Sequence, residues 1–429
     1  MQPTTLNHLT ALLLVSLLSV TARAAEPPFP DALAAADVTI TNAVKMSDGL
    51  LVGNGELNAI VYVAGKDLML RVSKNDVWDG RIDTSQDLSL PKVDPALHKL
   101  FCEKTGDTPS WKKPYPTGVP CGDIKLASLD GETSWTMNLS LAKAVATVTT
   151  SAETTTVRAL AQANVFNITS RRKLELAGVP QKFLPAATSG EDGGIVWLCQ
   201  SIPGNEDIKG MEVYLAAGTK GARQVVAVVT STDTAEPRKR AVQLVKATLT
   251  QSDDEVVKAH EAVWTEFWAQ SGLRLSEPQL QKWWYRMVYY FRCFAKKGAT
   301  GVGLKTSFDG LAGWHNSYKF NYNIQQTYLS AGPINHPELV EPINRLYEAA
   351  NMLSNFFCAT RRLIVKERRG ARYYKRYDEP ATPCERVLAA AHLYPFQEAA
   401  LITQSTAMDP YQLRTFIDVQ RTKIFAQLR

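Results

Sequence analysis

The chain has 429 residues, above the usual size of one domain, so two or three folding units are expected. Its composition, 45% hydrophobic and 21% charged, is that of an ordinary globular protein and excludes long disordered spans. The net charge of +6 is local: residues 361–377 (RRLIVKERRGARYYKRY) hold eight bases and one acid, a net of +7, which leaves −1 for everything else and excludes a basic nucleic-acid groove in the body.

The apolar run LTALLLVSLLSV, Leu9 to Val20, is too short to span a bilayer. Ala22-Arg23-Ala24 behind it is a small-x-small pattern, so residues 1–24 are expected to be a signal peptide cleaved near Ala24, although its start lacks Lys and Arg. A secreted or periplasmic protein is then expected. No other stretch is long and apolar enough for a membrane span. The six cysteines show no CxxC pair and no ligand-like clustering, so no metal site is expected. Cys102 and Cys121 could close a proline-rich loop, or the cysteines could be free and buried.

Residues 27–253 read as strands: LNAIVYVAGKDLMLRV, AVATVTTSAETTTVRAL, GMEVYLAAG, RQVVAVVTST and RAVQLVKATL are β-branched runs with rough alternation, separated by turn residues. No Gly-rich phosphate loop follows any of them, which disfavours a nucleotide fold and leaves a large antiparallel β-sandwich. Residues 87–123 are proline-rich and read as a long ordered loop. Near Asp254 the period changes to 3.6, and Val256, Val263, Trp264, Phe267 and Trp268 share one helical face. A second helix opens with Ser276 as a candidate N-cap and Pro278 in its first turn. Its expected apolar stripe is Leu280, Trp284, Met287, Val288, Phe291 and Phe294, with Gly298 closing the segment after two lysines. Residues 254–298 are therefore a helical linker.

The stretch Trp314 to Glu341 (WHNSYKFNYNIQQTYLSAGPINHPELVE) mixes aromatic faces with amides. Trp314, Tyr318, Phe320, Tyr322 and Tyr328 supply flat apolar surfaces; Asn316, Asn321, Asn323, Gln325 and Gln326 supply paired donors and acceptors. A sugar offers the complementary pattern, C–H faces for stacking and hydroxyls for bidentate hydrogen bonds. A polar helix start with core aromatics is the plainer reading. Asp309, Glu338 and Glu341 are the nearest carboxylates, and acids are favoured at a helix start whatever the function.

Three motifs in order resemble glycoside hydrolase family 95, the α-L-fucosidase family: Gly53-Asn54-Gly55 through Asn75-Asp76, Trp78 and Gly80; the linker HEAVWTEFWAQSGLRLSEPQLQKWWYRMVYYFRCFAKKG; and YKFNYNIQQTYL, with two Asn one position apart. The resemblance covers about residues 45–345. It implies an N-terminal β-sandwich, a helical linker and an (α/α)6-type barrel, acting by inversion: an acid protonates the leaving oxygen and a base activates water on the opposite face. It implies that Asn321 and Asn323 hold the water or sugar beside a carboxylate; by their own chemistry Trp314, His315, Lys319 and Gln325 are the expected substrate contacts. Lys319 stands where the family commonly has His. The substrate implied is an oligosaccharide or polysaccharide of α-L-fucoside or related type, without cofactor, metal or nucleic acid. After Asn323 come 106 residues, too few for six hairpins, so residues 299–357 are expected to form the first part of a barrel and residues 358–429 an atypical basic tail. The family's acid would then be missing, and a catalytically inactive carbohydrate-binding chain is the alternative.

Overall fold

A computed structural model describes residues 26–42, 45–81, 116–132, 134–206, 208–301, 308, 322–340, 352–370, 372–390 and 392–413. The segment expected to be a signal peptide and most of the proline-rich segment lie outside them.

The N-terminal part is a β-sandwich. One sheet has nine antiparallel strands in the order β1 (Val38–Thr41), β8 (Thr136–Ser140), β9 (Val145–Thr149), β10 (Thr154–Ala159), β11 (Val165–Thr169), β16 (Arg223–Thr230), β15 (Met211–Lys220), β14 (Ile195–Ile202) and β13 (Thr188–Asp192). The other has five: β12 (Leu174–Ala177), β7 (Gly122–Leu126), β4 (Asp67–Lys74), β3 (Leu57–Ala64) and β2 (Leu50–Gly53). A short ribbon of β5 (Trp78–Asp79) and β6 (Thr117–Gly118) stands beside them. Inward residues of both sheets, among them Val61, Leu70, Ile124, Met137, Phe166 and Val228, form one continuous core. Each fully buried aliphatic or aromatic side chain there contributes roughly 1.5–3 kcal/mol.

Every residue of β16 is buried. Val226 and Val228 face the sandwich core, while Val225, Ala227 and Val229 pack on Ala241, Val242 and Val245 of a helix lying on the outer face. That helix, α2 (Pro237–Thr250), second in the chain after the short α1 (Pro30–Ala34), is the segment RAVQLVKATL that reads as a strand. The β-branched content misleads there; the buried positions 241, 242, 245 and 248 follow the helical period. The strands of the sandwich therefore end at Thr230, ahead of the expected boundary at 253.

Two helices follow. In α3 (Asp253–Ala269) a capping box closes the start: Glu255 N donates to Ser252 Oγ at 3.2 Å and Ser252 N donates to Glu255 Oε2 at 3.0 Å. Its buried face is Val256, His260, Trp264, Phe267 and Trp268. In α4 (Pro278–Phe294) the cap is Glu277, which accepts from Gln279 N, rather than Ser276. Its buried face also differs from the expected stripe. Tyr285, Val288, Tyr289, Phe291, Arg292 and Cys293 are buried, whereas Leu280 and Met287 are more than half exposed. The reason is the polar handles of the tyrosines. Tyr285 Oη donates to Leu273 O at 2.9 Å and Tyr289 Oη donates to Leu51 O at 3.0 Å, so these rings bury without leaving a hydroxyl unpaired. Trp264 and Tyr289 meet at 5.2 Å between ring centres, Trp268 and Tyr285 at 5.8 Å.

Beyond the linker lie α5 (Tyr322–Leu329) and a 3-10 turn Pro337–Val340. The described residues form no closed barrel. The C-terminal residues expected to be an atypical tail include a hairpin, β17 (Leu363–Arg369) with β18 (Arg372–Tyr377), and two helices, α6 (Pro383–Ala389) and α7 (Pro395–Ala407). No helix among the described residues is long and apolar enough to cross a membrane.

Candidate functional site

The first two resemblance motifs meet at one place, where the sandwich grips the end of α4. Asn54 is fully buried and folds the chain back between β2 and β3: its Oδ1 accepts from Glu56 N at 3.0 Å and Leu57 N at 2.9 Å. Its Nδ2 donates across the sandwich to Leu160 O and Ala163 O. The two flanking glycines let α4 approach. A Cβ on Gly53 would lie 2.7 Å from Cys293 O, and one on Gly55, at φ +99°, 2.5 Å from Lys296 Cβ. Gly55 N donates to Cys293 O at 2.9 Å, and Arg292 Nη1 donates to Asn54 O at 2.9 Å. A helix C-terminus leaves carbonyls without intrahelical partners, and the Gly-Asn-Gly turn takes one of them.

Asn75 takes the next. Its Nδ2 donates to Phe294 O at 2.8 Å, Thr300 O at 2.9 Å and Gly55 O at 3.2 Å, a shared arrangement that binds turn, helix end and following segment together. Trp78 Nε1 donates to Asn75 O, which fixes the strand on the other side.

Lys74 lies fully buried beneath this clamp. Its Nζ reaches Glu56 Oε1 at 2.7 Å, Asp76 Oδ1 at 2.7 Å and Asp233 Oδ1 at 3.1 Å. Thr230 and Thr232 hydroxyls donate to the other oxygen of Asp76. Burial alone would push the Lys74 ammonium down; the charges of Asp76, Glu56 and Asp233 override it and hold it protonated far above the usual range. Burial pushes Glu56 up, but Lys74 and Lys296 outweigh it and bring the carboxyl to about 2. The oxygens of Glu56, Asp76 and Asp233 lie within 4.8 Å of one another, a donor set that could hold a divalent cation. The ammonium of Lys74 already sits among them at hydrogen-bond distances, so the cluster is a cage for a lysine.

Residues on both sides of 314–325 are anchored, by the sandwich before them and by the helices after them. On the N-terminal side Asn75 holds Thr300, and Arg71 Nη1 donates to the carbonyl of buried Phe308 at 2.8 Å while its guanidinium rests on Asp123. On the C-terminal side the Tyr328 ring meets Phe291 edge-on at 5.6 Å, Asn335 Nδ2 donates to Gln270 O, and the His336 ring stacks on Phe267 at 3.9 Å. The recess between these anchors, lined by Lys296, Thr300, Tyr328 and Leu339, has about 10 Å³, room for about one water rather than a sugar ring.

Trp314, His315, Lys319 and Asn321 lie outside the described residues, as do Asp309 and Glu341. Asn323 and Gln325 fall in the first turns of α5, whose backbone is described. Glu338 is engaged by His336 Nδ1 at 2.8 Å. Cys121 is a free thiol buried in the sandwich core, and its suggested partner Cys102 lies outside the described residues. Asn167, in the acceptor pattern Asn167-Ile168-Thr169, is fully buried in the folded chain between Asp253 and Arg223. Sequence reasoning missed Lys74, Arg292, His260 and His336. A lysine in an alternating strand and an arginine on an aromatic helix face are the signals that mark the first two. No protein-family model matches the chain, and no curated protein matches it.

Proposed function

We propose that this chain is an exported glycoside hydrolase-like protein of the family 95 type that binds α-L-fucosides or related glycans with residues 314–325. In this reading Asn321 and Asn323 hold water or sugar beside a carboxylate, since an amide donates to a carboxylate and accepts from water. Trp314, His315, Lys319 and Gln325 contact the substrate. The observation that carries the reading is the double anchorage of this stretch: Thr300 and Phe308 are tied to the sandwich on one side, Tyr328 and His336 to the linker helices on the other. A binding segment needs such support from rigid elements.

Sugar binding without turnover is the second reading. It is favoured by the engagement of carboxylates: Glu56, Asp76 and Asp233 gather around Lys74, and Glu338 hydrogen-bonds His336. Turnover of aryl α-L-fucosides and of fucosylated oligosaccharides by the full chain, compared with Asn321→Ala/Asn323→Ala, separates the two. Hydrolysis that falls at least a hundredfold in the double variant supports the enzyme. Binding without hydrolysis, lost in the double variant, supports the second reading. Neither hydrolysis nor binding overturns the assignment of this stretch.

A further inference from the structure

The basic segment forms an exposed two-stranded sheet, in which β17 and β18 pair, among the described residues, only with each other. Its base is fixed. Asp378 accepts from Arg362 N at 2.5 Å and from the Arg386 guanidinium, and Thr360 bridges to Ala381. Thr382 then caps α6 through a capping box with Glu385. Gly370, at φ +64°, allows the turn at the tip.

The ladder sorts the charges by face. The register pairs Lys366 with Lys375 and Arg368 with Tyr373, so one face carries Lys366, Arg368, Lys375 and the tyrosines at 373 and 377, with no acid. The other pairs Glu367 with Tyr374 and Arg369 with Arg372. Among the described residues, Lys366, Arg368, Arg372, Lys375 and Arg376 form no ion pair; Glu367 engages Arg369, and Asp378 engages Arg362 and Arg386. Like charges directly opposite each other weaken a ladder, and an isolated hairpin is marginal to begin with. A row of anions along the acid-free face removes that repulsion.

We propose that this hairpin docks a linear anionic polysaccharide, one bearing carboxylate or sulfate groups. The strand, seven residues long, presents about 24 Å of such a chain's length. Guanidinium groups bind planar carboxylates and sulfate-type oxyanions in bidentate fashion. Single-stranded nucleic acid binds through open ring faces for base stacking. Here Lys366 covers one face of Tyr373 at 4.7 Å and Arg369 one face of Tyr374 at 4.4 Å, which leaves fewer faces for bases. The chain outside the segment has a charge of −1, the difference between +6 and +7, and offers a duplex no continuing basic track. This inference is independent of the assignment of residues 314–325.

The test measures retention of the full chain on immobilised heparin and on polygalacturonate across a salt series. Lys366→Gln/Arg368→Gln/Lys375→Gln is expected to weaken binding about tenfold or more at low salt and to reduce the salt slope by about two to three. Lys66→Gln/Lys209→Gln/Lys220→Gln removes the same charge from the sandwich surface and is expected to leave retention unchanged. Lys366→Arg/Lys375→Arg is expected to keep it, which guards against loss through unfolding. Equal loss in the two glutamine triples, no retention of the unaltered chain, or tighter binding of single-stranded DNA than of either glycan overturns the proposal.

Discussion

Lys74 and Lys366 are both lysines on antiparallel strands, and the protein treats their charges in opposite ways. Lys74 is sealed in the sandwich, where three carboxylates replace its water shell. Lys366 stands in solvent opposite Lys375 with no acid in reach. Taking an ammonium out of water costs several kcal/mol unless partners surround it, so the buried cation is tied to the fold and its partners cannot be removed singly. The exposed cations touch only their own hairpin, Lys366 a tyrosine ring and Arg368 the carbonyl of Gly370, and can meet an external anion.

The sharpest way to break the comparison is Lys74→Met. It leaves buried Asp76 facing half-buried Glu56, with Asp233 at the solvent edge, and an expected destabilisation of about 3 kcal/mol would be read by urea unfolding. A loss under about 1 kcal/mol would mean that water reaches the cage and that burial is not what distinguishes the two lysines.

A second, somewhat smaller effect comes from His260, another buried titratable group but one held neutral. Its Nδ1 accepts from Ala161 N at 3.2 Å and its Nε2 faces Lys143 O at 3.0 Å, an arrangement satisfied by the neutral ring protonated on Nε2. Burial, in the first place, lowers its pKa from 6.5 to about 4. Between those values the unfolded chain binds the proton and the folded chain does not. The contribution is therefore fully present above pH 6.5 and is lost as pH falls toward 4, about 3 kcal/mol in all. Glu56, lowered from 4.5 to about 2, continues the loss in the window below. Unfolding free energies of the unaltered chain and of His260→Gln at neutral and acidic pH check this: the slope between 6.5 and 4 should flatten in the variant.

The smallest effect belongs to the hairpin. Arg368→Gln/Lys375→Gln is expected to change the unfolding free energy of the chain by no more than about 0.5 kcal/mol, because exposed cations that form no ion pair contribute little. A large loss would show that the hairpin is bound into the fold and would erase the contrast with Lys74.

The alternating strands were legible because one sheet face meets the core at every second residue. RAVQLVKATL was not, because valines that favour strands also fill one side of α2 where it covers β16. The linker helices were legible in period but not in rotation: on α4 the apolar Leu280 and Met287 lost the buried side to tyrosines whose hydroxyls find carbonyls. The clamp's residues were visible as a motif, yet their work was not. Asp233 reaches Lys74 across 159 positions and Asn75 reaches Thr300 across 225, separations no local pattern encodes. The residues singled out for sugar contact rest on their chemistry and on the anchors to either side.

The contacts of Asn75 also join two regions into one unit. Its three acceptors come from residues 55, 294 and 300, so a single amide stitches the glycine turn, the last turn of α4 and the segment after it. Trp264, Trp268, Tyr285 and Tyr289 belong to the same continuous core as both sheets. A loosening of the helices is therefore felt in the sandwich, and the chain that follows takes its footing from both.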